Sequence, residues 1–150
     1  MKLSTMLITM SNHWTKDIAL MHDKFGVKDW VNEKLDEQDY KLLKSYLSFR
    51  LTMLHEELGE TITAAHVDSD ATEVVDGIID LCVFAIGTLD AFGVDVDRAW
   101  DEVLHANIVK ERGSKPERPN KFGLPDLVKP NGWRAPSHRN NVGNLKHIMK

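Results

Sequence analysis

Acidic residues interrupt the apolar spacing of two successive helices between residues 55 and 80. Glu57 and Glu60 are three positions apart, as are Glu73 and Asp76, so each pair shares one face of a helix. Carboxylates gathered in this way repel one another or hold protons. A hard divalent cation bound through oxygen removes the repulsion. Because no Cys or His belongs to the set, Mg²⁺ or Mn²⁺ is favoured over zinc.

The two acidic pairs come together if the helices form an antiparallel hairpin. With the turn at residues 66–67, inside the polar segment HVDSD, Glu57 lies opposite Asp76 and Glu60 lies opposite Glu73. A single pair of acids three residues apart is common on a solvated helix face. Two pairs in register across a short turn, one of them on an otherwise apolar helix, instead predict a metal site.

Two further acids flank this box of four. Helical phase directs Glu56 toward solvent, and Asp80 lies one turn farther along, where it would bind a second ion or pair with Arg50. More than one ion can therefore be expected in the site. The predicted metal ligands are Glu57, Glu60, Glu73, Asp76 and Asp80.

The elements that must position these acids follow from proline distribution and apolar spacing. All five prolines come late, so residues 1–113 are predicted to form an all-α, four-helix core. Residues 114–150 are predicted to be a Pro-rich extended tail whose last part is mobile. The third helix is apolar nearly all round, which predicts a central position. The predicted helices span residues 12–25, 35–66, 71–92 and 94–113, with Ser69 or Asp70 capping the third and Asp95 or Asp97 the fourth.

Composition excludes several classes of protein. The 150 residues carry a net charge of -4, which argues against a broad basic face for nucleic acid but leaves room for a small phosphorylated ligand. The one cysteine, Cys82, cannot form an internal disulfide and is expected to be a reduced core residue of a cytoplasmic protein. No apolar run approaches the roughly 18 residues of a membrane span, and the start of the chain makes a poor signal peptide.

Two short motifs resemble those of a known family. EELGE at residues 56–60, followed by EVVD at residues 73–76, resembles the EExxE…ExxD signature of the MazG-like all-alpha nucleoside triphosphate pyrophosphohydrolases. This group includes phosphoribosyl-ATP pyrophosphatase and dimeric dUTPases. The resemblance extends from MHDKFG to KPNGW and looks closest to small bacteriophage members, including the dGTP-directed enzymes called MazZ. It implies Mg²⁺-dependent cleavage of a (d)NTP, with dGTP or GTP preferred, in the cytoplasm of a bacterial host.

The resemblance also implies roles for residues outside the acidic box. The family commonly places an Asn and a Lys near the end of the following helix against the phosphates, and Asn107 and Lys110 match them. Glu56 and Lys110 are assigned to catalysis, and Phe25 offers aromatic surface for a base. The later cations would otherwise complement a helix C-terminus and a solvated tail. The predicted substrate-binding set is Asn107, Lys110, Arg112, Lys115, Arg118, Phe25 and Arg50.

Three alternatives remain open from the sequence. A di-iron carboxylate bundle needs Glu-x-x-His on two helices, and this chain has it once, at Glu102 and His105. A non-catalytic helical adaptor would use the acids to bind a structural ion or a basic partner. Phosphoribosyl-ATP pyrophosphatase or dUTPase-like activity is the third. The expected partners are a nucleoside triphosphate and further copies of the chain in a dimer or tetramer, since Gly77 and Gly87 permit close helix contact; neither nucleic acid nor a membrane is expected.

Overall fold

The computed structural model describes residues 13–117 and 121–149, which fall into two compact units. The first unit lies within Met1–Val94 and Gly143–Lys150, and the second is Asp95–Val142. The first unit contains α1 (Trp14–Lys24), α2 (Val27–Asp36), α3 (Tyr40–Thr63), a π-helical turn (Ala64–Asp68), α4 (Ala71–Ala91) and α6 (Leu145–Ile148). The second contains α5 (Val96–Ile108) and the antiparallel strands β1 (Glu111–Gly113) and β2 (Asp126–Val128).

The all-α prediction is confirmed, because the described residues are mostly helical and their one sheet has two short strands. Aspartate side chains cap the main helices. Asp70 accepts hydrogen bonds from the backbone N–H groups of Thr72 (2.9 Å) and Glu73 (3.2 Å) at the start of α4. Asp95 accepts one from Arg98 (3.0 Å) at the start of α5. Each cap satisfies helix donors that have no intrahelical partner.

Two features of the predicted helices are wrong. The helix at residues 27–36 was not predicted, although Val27, Val31 and Leu35 follow helical spacing. The left-handed conformation of Gly26 (φ 70°) separates it from α1. The last long helix ends at residue 108 instead of 113, because residues 111–113 pair as a strand with β2.

The end of the chain is packed, which corrects the prediction of a mobile terminus. Ile148 is 4% exposed and belongs to a core cluster with Val31, Leu43 and Phe92. The backbone N–H of Asn144 donates to the carbonyl oxygen of Phe92 (2.7 Å). Apolar burial and this bond hold α6 against the helices of the first unit.

α4 is less buried than its composition predicts. Its Gly87 and Thr88 are buried, whereas Val75 and Ile78 on the other side are 65% and 50% exposed. α3 also has exposed apolar side chains, since its Ile62 is 50% exposed. We call the exposed set the apolar hairpin face; it comprises Leu51, Leu58, Ile62, Val75, Ile78 and Ile79.

In the part of the chain that the structure describes, no single helix is long and apolar enough to cross a membrane. α4 and α5 together reach the required length and apolar composition, but only as a pair bent by 120°.

Candidate active site

α3 and α4 approach each other closely at Thr61 and Gly77. A Cβ atom added to Gly77 would collide with the Thr61 hydroxyl oxygen, so the approach requires glycine. Thr61 is buried and its hydroxyl donates to the carbonyl oxygen of Glu57 (2.7 Å), one turn earlier on α3. This contact sets the distance between the two helices that carry the predicted metal ligands.

Helical phase at this contact gives the hairpin two different sides. Glu60 and Asp76 each precede a contact residue by one position, and Ile62 and Ile78 each follow one by one position. In antiparallel helices the same rotation from the contact leads to the same side of the pair. The acids therefore lie on one side of the hairpin and the apolar hairpin face lies on the other.

A pocket of about 710 Å³ opens on the acidic side. Within residues 13–117 and 121–149, no lysine or arginine lines this pocket, and His55 is the one lining residue that can become cationic. All six of the predicted acids line it, and Asp68, which was not predicted, lines it as well. The acidic lining residues are Glu56, Glu57, Glu60, Asp68, Glu73, Asp76 and Asp80.

Glu57 has a raised pKa because of its surroundings in this pocket. Partial burial, and then the charges of Asp80, Glu60, Asp76 and Glu56 in that order, raise the pKa of its carboxyl group above the usual value. The raised pKa means that the ionised carboxylate is destabilised by its surroundings. A divalent cation would reverse that effect, and an all-oxygen donor set suits Mg²⁺ or Mn²⁺.

The carboxylates line the pocket without converging. Among residues 13–117 and 121–149, no three Asp, Glu, His or Cys side chains come close enough together to hold a metal ion as they stand. Long carboxylate side chains on exposed helix faces spread apart because their charges repel. Binding a cation would therefore require side-chain rotation, and the donor chemistry fits such an ion.

The predicted hairpin register is shifted by about one helical turn. The chain continues past residue 66 through the π-helical turn and reverses at Ser69, which adopts a left-handed conformation (φ 53°). Asp70 N–H then donates to the carbonyl oxygen of Ala64 (3.0 Å). As a result Asp80, and not Asp76, is the acid of α4 whose charge acts most strongly on Glu57.

Arg50 does not pair with Asp80, which corrects one of the two roles expected for that acid. Its Nε donates to the Thr88 hydroxyl (3.2 Å) and its Nη2 to the Phe84 carbonyl oxygen (3.3 Å). The guanidinium carbon also lies 5.1 Å from the Phe84 ring centroid. These contacts hold α3 against α4, away from the residues that line the acidic pocket.

A second polar cluster joins α1 to α4. His22 is buried, and its Nδ1 lies 2.8 Å from Asp90 Oδ2. Lys28 Nζ lies 3.4 Å from the other oxygen of Asp90. Phe25, at the end of α1, is 70% exposed and does not line the acidic pocket.

The predicted phosphate-binding residues lie in the second unit. Lys110 Nζ donates to the side-chain oxygen of Asn107 (2.8 Å) at the end of α5. Arg112 is exposed on β1, and the backbone N–H of Lys115 donates to Asp126 (3.1 Å). Arg118 lies outside the described residues.

Sequence reasoning missed several residues of these sites. Thr61 has no signal in the sequence, and Gly77 was noted only for close helix contact. Lys129 and Trp133 of the tail were also missed, and the ammonium groups of both Lys129 and Lys110 lie over the Trp133 ring. Their KPNGW context was visible, but a proline-rich segment has no periodicity from which a contact can be predicted.

Comparison with known proteins gives one family. Residues 27–107 match a family described as Phosphoribosyl-ATP pyrophosphohydrolase. The matched segment includes α2, α3, α4 and nearly all of α5, and with them every acid of the pocket. No curated protein gives a significant match.

Proposed function

The chain belongs to the phosphoribosyl-ATP pyrophosphohydrolase family, and from that membership we propose that it is a Mg²⁺- or Mn²⁺-dependent hydrolase that converts a nucleoside triphosphate to the monophosphate and pyrophosphate. The family is part of the MazG-like all-α superfamily, and its members are pyrophosphohydrolases. One observation carries the proposal: among the residues that the structure describes, seven carboxylates and no lysine or arginine line one pocket inside the matched segment. Such a pocket suits a ligand that brings its own positive charge.

The pocket residues divide into two roles in this proposal. Glu56 is proposed to accept the proton of an attacking water as the bond to the leaving pyrophosphate breaks. Its exposure and its position in the lining of the same pocket support this role. When bound, the cation neutralises the phosphate chain and disperses the charge that develops on the leaving group. The proposed ligands of the cation are Glu57, Glu60, Glu73, Asp76 and Asp80.

The remaining residues are proposed to bind the nucleotide. Asn107 and Lys110 would contact the phosphates, since an amide and an ammonium both donate hydrogen bonds to phosphate oxygens. Arg112, Lys115 and Arg118 would add positive charge along the same stretch, and Phe25 would stack on the base. Arg50 is instead proposed to hold α3 to α4, because two of its five N–H donors bond to residues of α4.

A substrate panel tests the proposal. The canonical NTPs and dNTPs, dUTP and phosphoribosyl-ATP would each be incubated with the full chain and Mg²⁺ or Mn²⁺, and monophosphate and pyrophosphate measured. We expect pyrophosphate release that stops in EDTA, with dGTP or GTP turned over fastest. Phosphoribosyl-ATP as the best substrate would correct the specificity. The absence of turnover for every compound would overturn the enzyme proposal in favour of a metal-binding adaptor.

We also propose that two copies of the chain associate through the apolar hairpin face. Six large apolar side chains lie there on the side opposite the acids, so pairing would leave the acidic pocket open. An apolar face is complementary to a second copy of itself, which suits a twofold contact.

Light scattering after size exclusion tests this association. Wild type should elute as a dimer or larger, and Ile78→Asp as a monomer, because the new carboxylate would be buried in the contact. Val67→Asp is the control, since Val67 is 75% exposed and lies outside this face. A monomeric wild type, or Ile78→Asp that is folded and still dimeric, would rule the interface out.

A further inference from the structure

Two lysines and a tryptophan meet where α5 leads into the small sheet of the second unit. Glu111 pairs with Val128 in the antiparallel ladder, so Lys110 and Lys129 stand at the next position along the two strands. Lys129 Nζ lies 4.3 Å from the centroid of the Trp133 ring, and Lys110 Nζ lies 5.5 Å from it. The proline-rich tail thus places the ammonium group of Lys129 near Lys110, the residue already proposed to bind phosphate.

The ring that gathers these lysines is held in place. The indole N–H of Trp133 donates to the carbonyl oxygen of Ala106 on α5 (2.7 Å). Its backbone N–H donates to the Pro130 carbonyl oxygen (3.0 Å), which closes the turn after Lys129. The side-chain hydrogen bond from Lys110 to Asn107 adds a third constraint (2.8 Å). Few rotatable bonds would therefore have to be ordered when a ligand binds.

Within the described residues, no carboxylate forms an ion pair with Lys110 or Lys129. Like charges opposite each other on paired strands repel, and attraction to an indole face offsets only part of that repulsion. The Asn107 carboxamide accepts from Lys110 through its oxygen, which leaves its NH₂ group as a donor.

We propose that Lys110, Lys129 and Asn107, organised on Trp133, form a binding site for a linear phosphate chain. Two ammonium groups and an amide donor match several phosphate oxygens carried by one ligand. Lys129 is the new member of the site, and Trp133 acts as a positioning residue. Assigning the phosphate chain to the nucleotide substrate rests on the proposed function, whereas the anion site itself does not.

Calorimetric titration of the full chain with tripolyphosphate and with pyrophosphate, in EDTA, tests the site without any contribution from a bound cation. We expect Lys129→Gln and Lys110→Gln each to weaken binding about tenfold, the loss of one charge-assisted contact. Lys121→Gln is the matched control, because Lys121 also lies over a ring, at 5.2 Å from Phe122, but that ring is 76% exposed and next to it in sequence. Trp133→Phe should give a smaller loss, since it keeps a ring but removes the donor to Ala106.

Two results would overturn the anion site. One is wild-type protein that binds neither polyphosphate in EDTA. The other is Lys129→Gln protein that is folded by circular dichroism yet binds as tightly as wild type, or no more weakly than Lys121→Gln.

Turnover separates this inference from the proposed function. With Mg²⁺ and the best nucleotide, Lys129→Gln should raise KM about tenfold and change kcat little, because the lost contact holds the phosphate chain before and during reaction. Lys129-dependent binding of pyrophosphate without turnover of any nucleotide would leave the anion site standing and reject the enzyme. Normal turnover by Lys129→Gln would leave the enzyme standing and reject Lys129 as a phosphate contact.

Discussion

Two groups of acids on neighbouring helices of the first unit have opposite electrostatic outcomes. On α2, Lys34 Nζ lies 2.6 Å from Glu33 and 2.8 Å from Glu37. These contacts lower the pKa of Glu33 and raise that of Lys34. In the hairpin pocket, partial burial and neighbouring carboxylates raise the pKa of Glu57. Both groups have helical spacing, so spacing alone does not separate them; the difference is whether the chain supplies a cation between the acids.

Removing a pocket acid should have the largest effect. Asp76→Asn keeps the size of the side chain but removes one charged donor for the cation, and we expect kcat/KM with Mg²⁺ to fall at least about a hundredfold. Glu37→Gln, at the residue that caps the end of α2, is the matched change and should leave kcat/KM as in wild type. Equal kcat/KM for the two variants would mean that the acids of the pocket and the acids that pair with Lys34 do not differ in function.

Changing the packing between α3 and α4 should have the next largest effect, which is a change in the free energy of unfolding. Gly77→Ala places a methyl group against Thr61, and we expect it to lower the free energy of unfolding by about 1–2 kcal/mol. Gly59→Ala is the control, because a Cβ there meets no atom within 4 Å. It should raise stability by about 0.5–1 kcal/mol through better helix propensity. Urea unfolding measures both, and Thr61→Ala should recover part of the Gly77→Ala loss.

Removing one carboxylate charge in the absence of a divalent cation should have the smallest effect, which is a small change in Tm. In EDTA at pH 7, Glu57→Gln should raise Tm slightly, because it removes a repelled carboxylate, and Glu33→Gln should lower it slightly. The depressed pKa of Glu33 means that its stabilisation is present at neutral pH and is lost as pH falls through the folded pKa. Thermal melts should show that the Tm difference between wild type and Glu33→Gln is present at pH 7 and disappears in acid. If Glu57→Gln and Glu33→Gln shifted Tm in the same direction at pH 7, the comparison would be contradicted.

Much of the pocket follows from local sequence rules. The spacing of Glu57, Glu60, Glu73 and Asp76 gives each pair one helix face, and Asp70 marks the start of α4 by capping. The predicted register was wrong because the π-helical turn adds residues before the reversal at Ser69. No residue in that segment is specific to a π-helical turn, so its extra length could not be predicted.

The missed helices have a different cause. α2 has ten residues and α6 has four, and short helices are stabilised mainly by what they pack against. Ile148 is buried against residues more than fifty positions earlier in the chain, a contact to which the polar composition of the terminus gives no clue.

The sequence by itself determined helical phase, and therefore which carboxylates share a face, because phase depends only on a rotation of about 100° per residue. The tertiary structure decided which faces meet. The close packing of Gly77 against Thr61 brings Asp80 near Glu57. The pairing of β1 with β2 brings Lys129, from the proline-rich tail, near Lys110. Such neighbours depend on the path of the chain between them, which no local spacing contains.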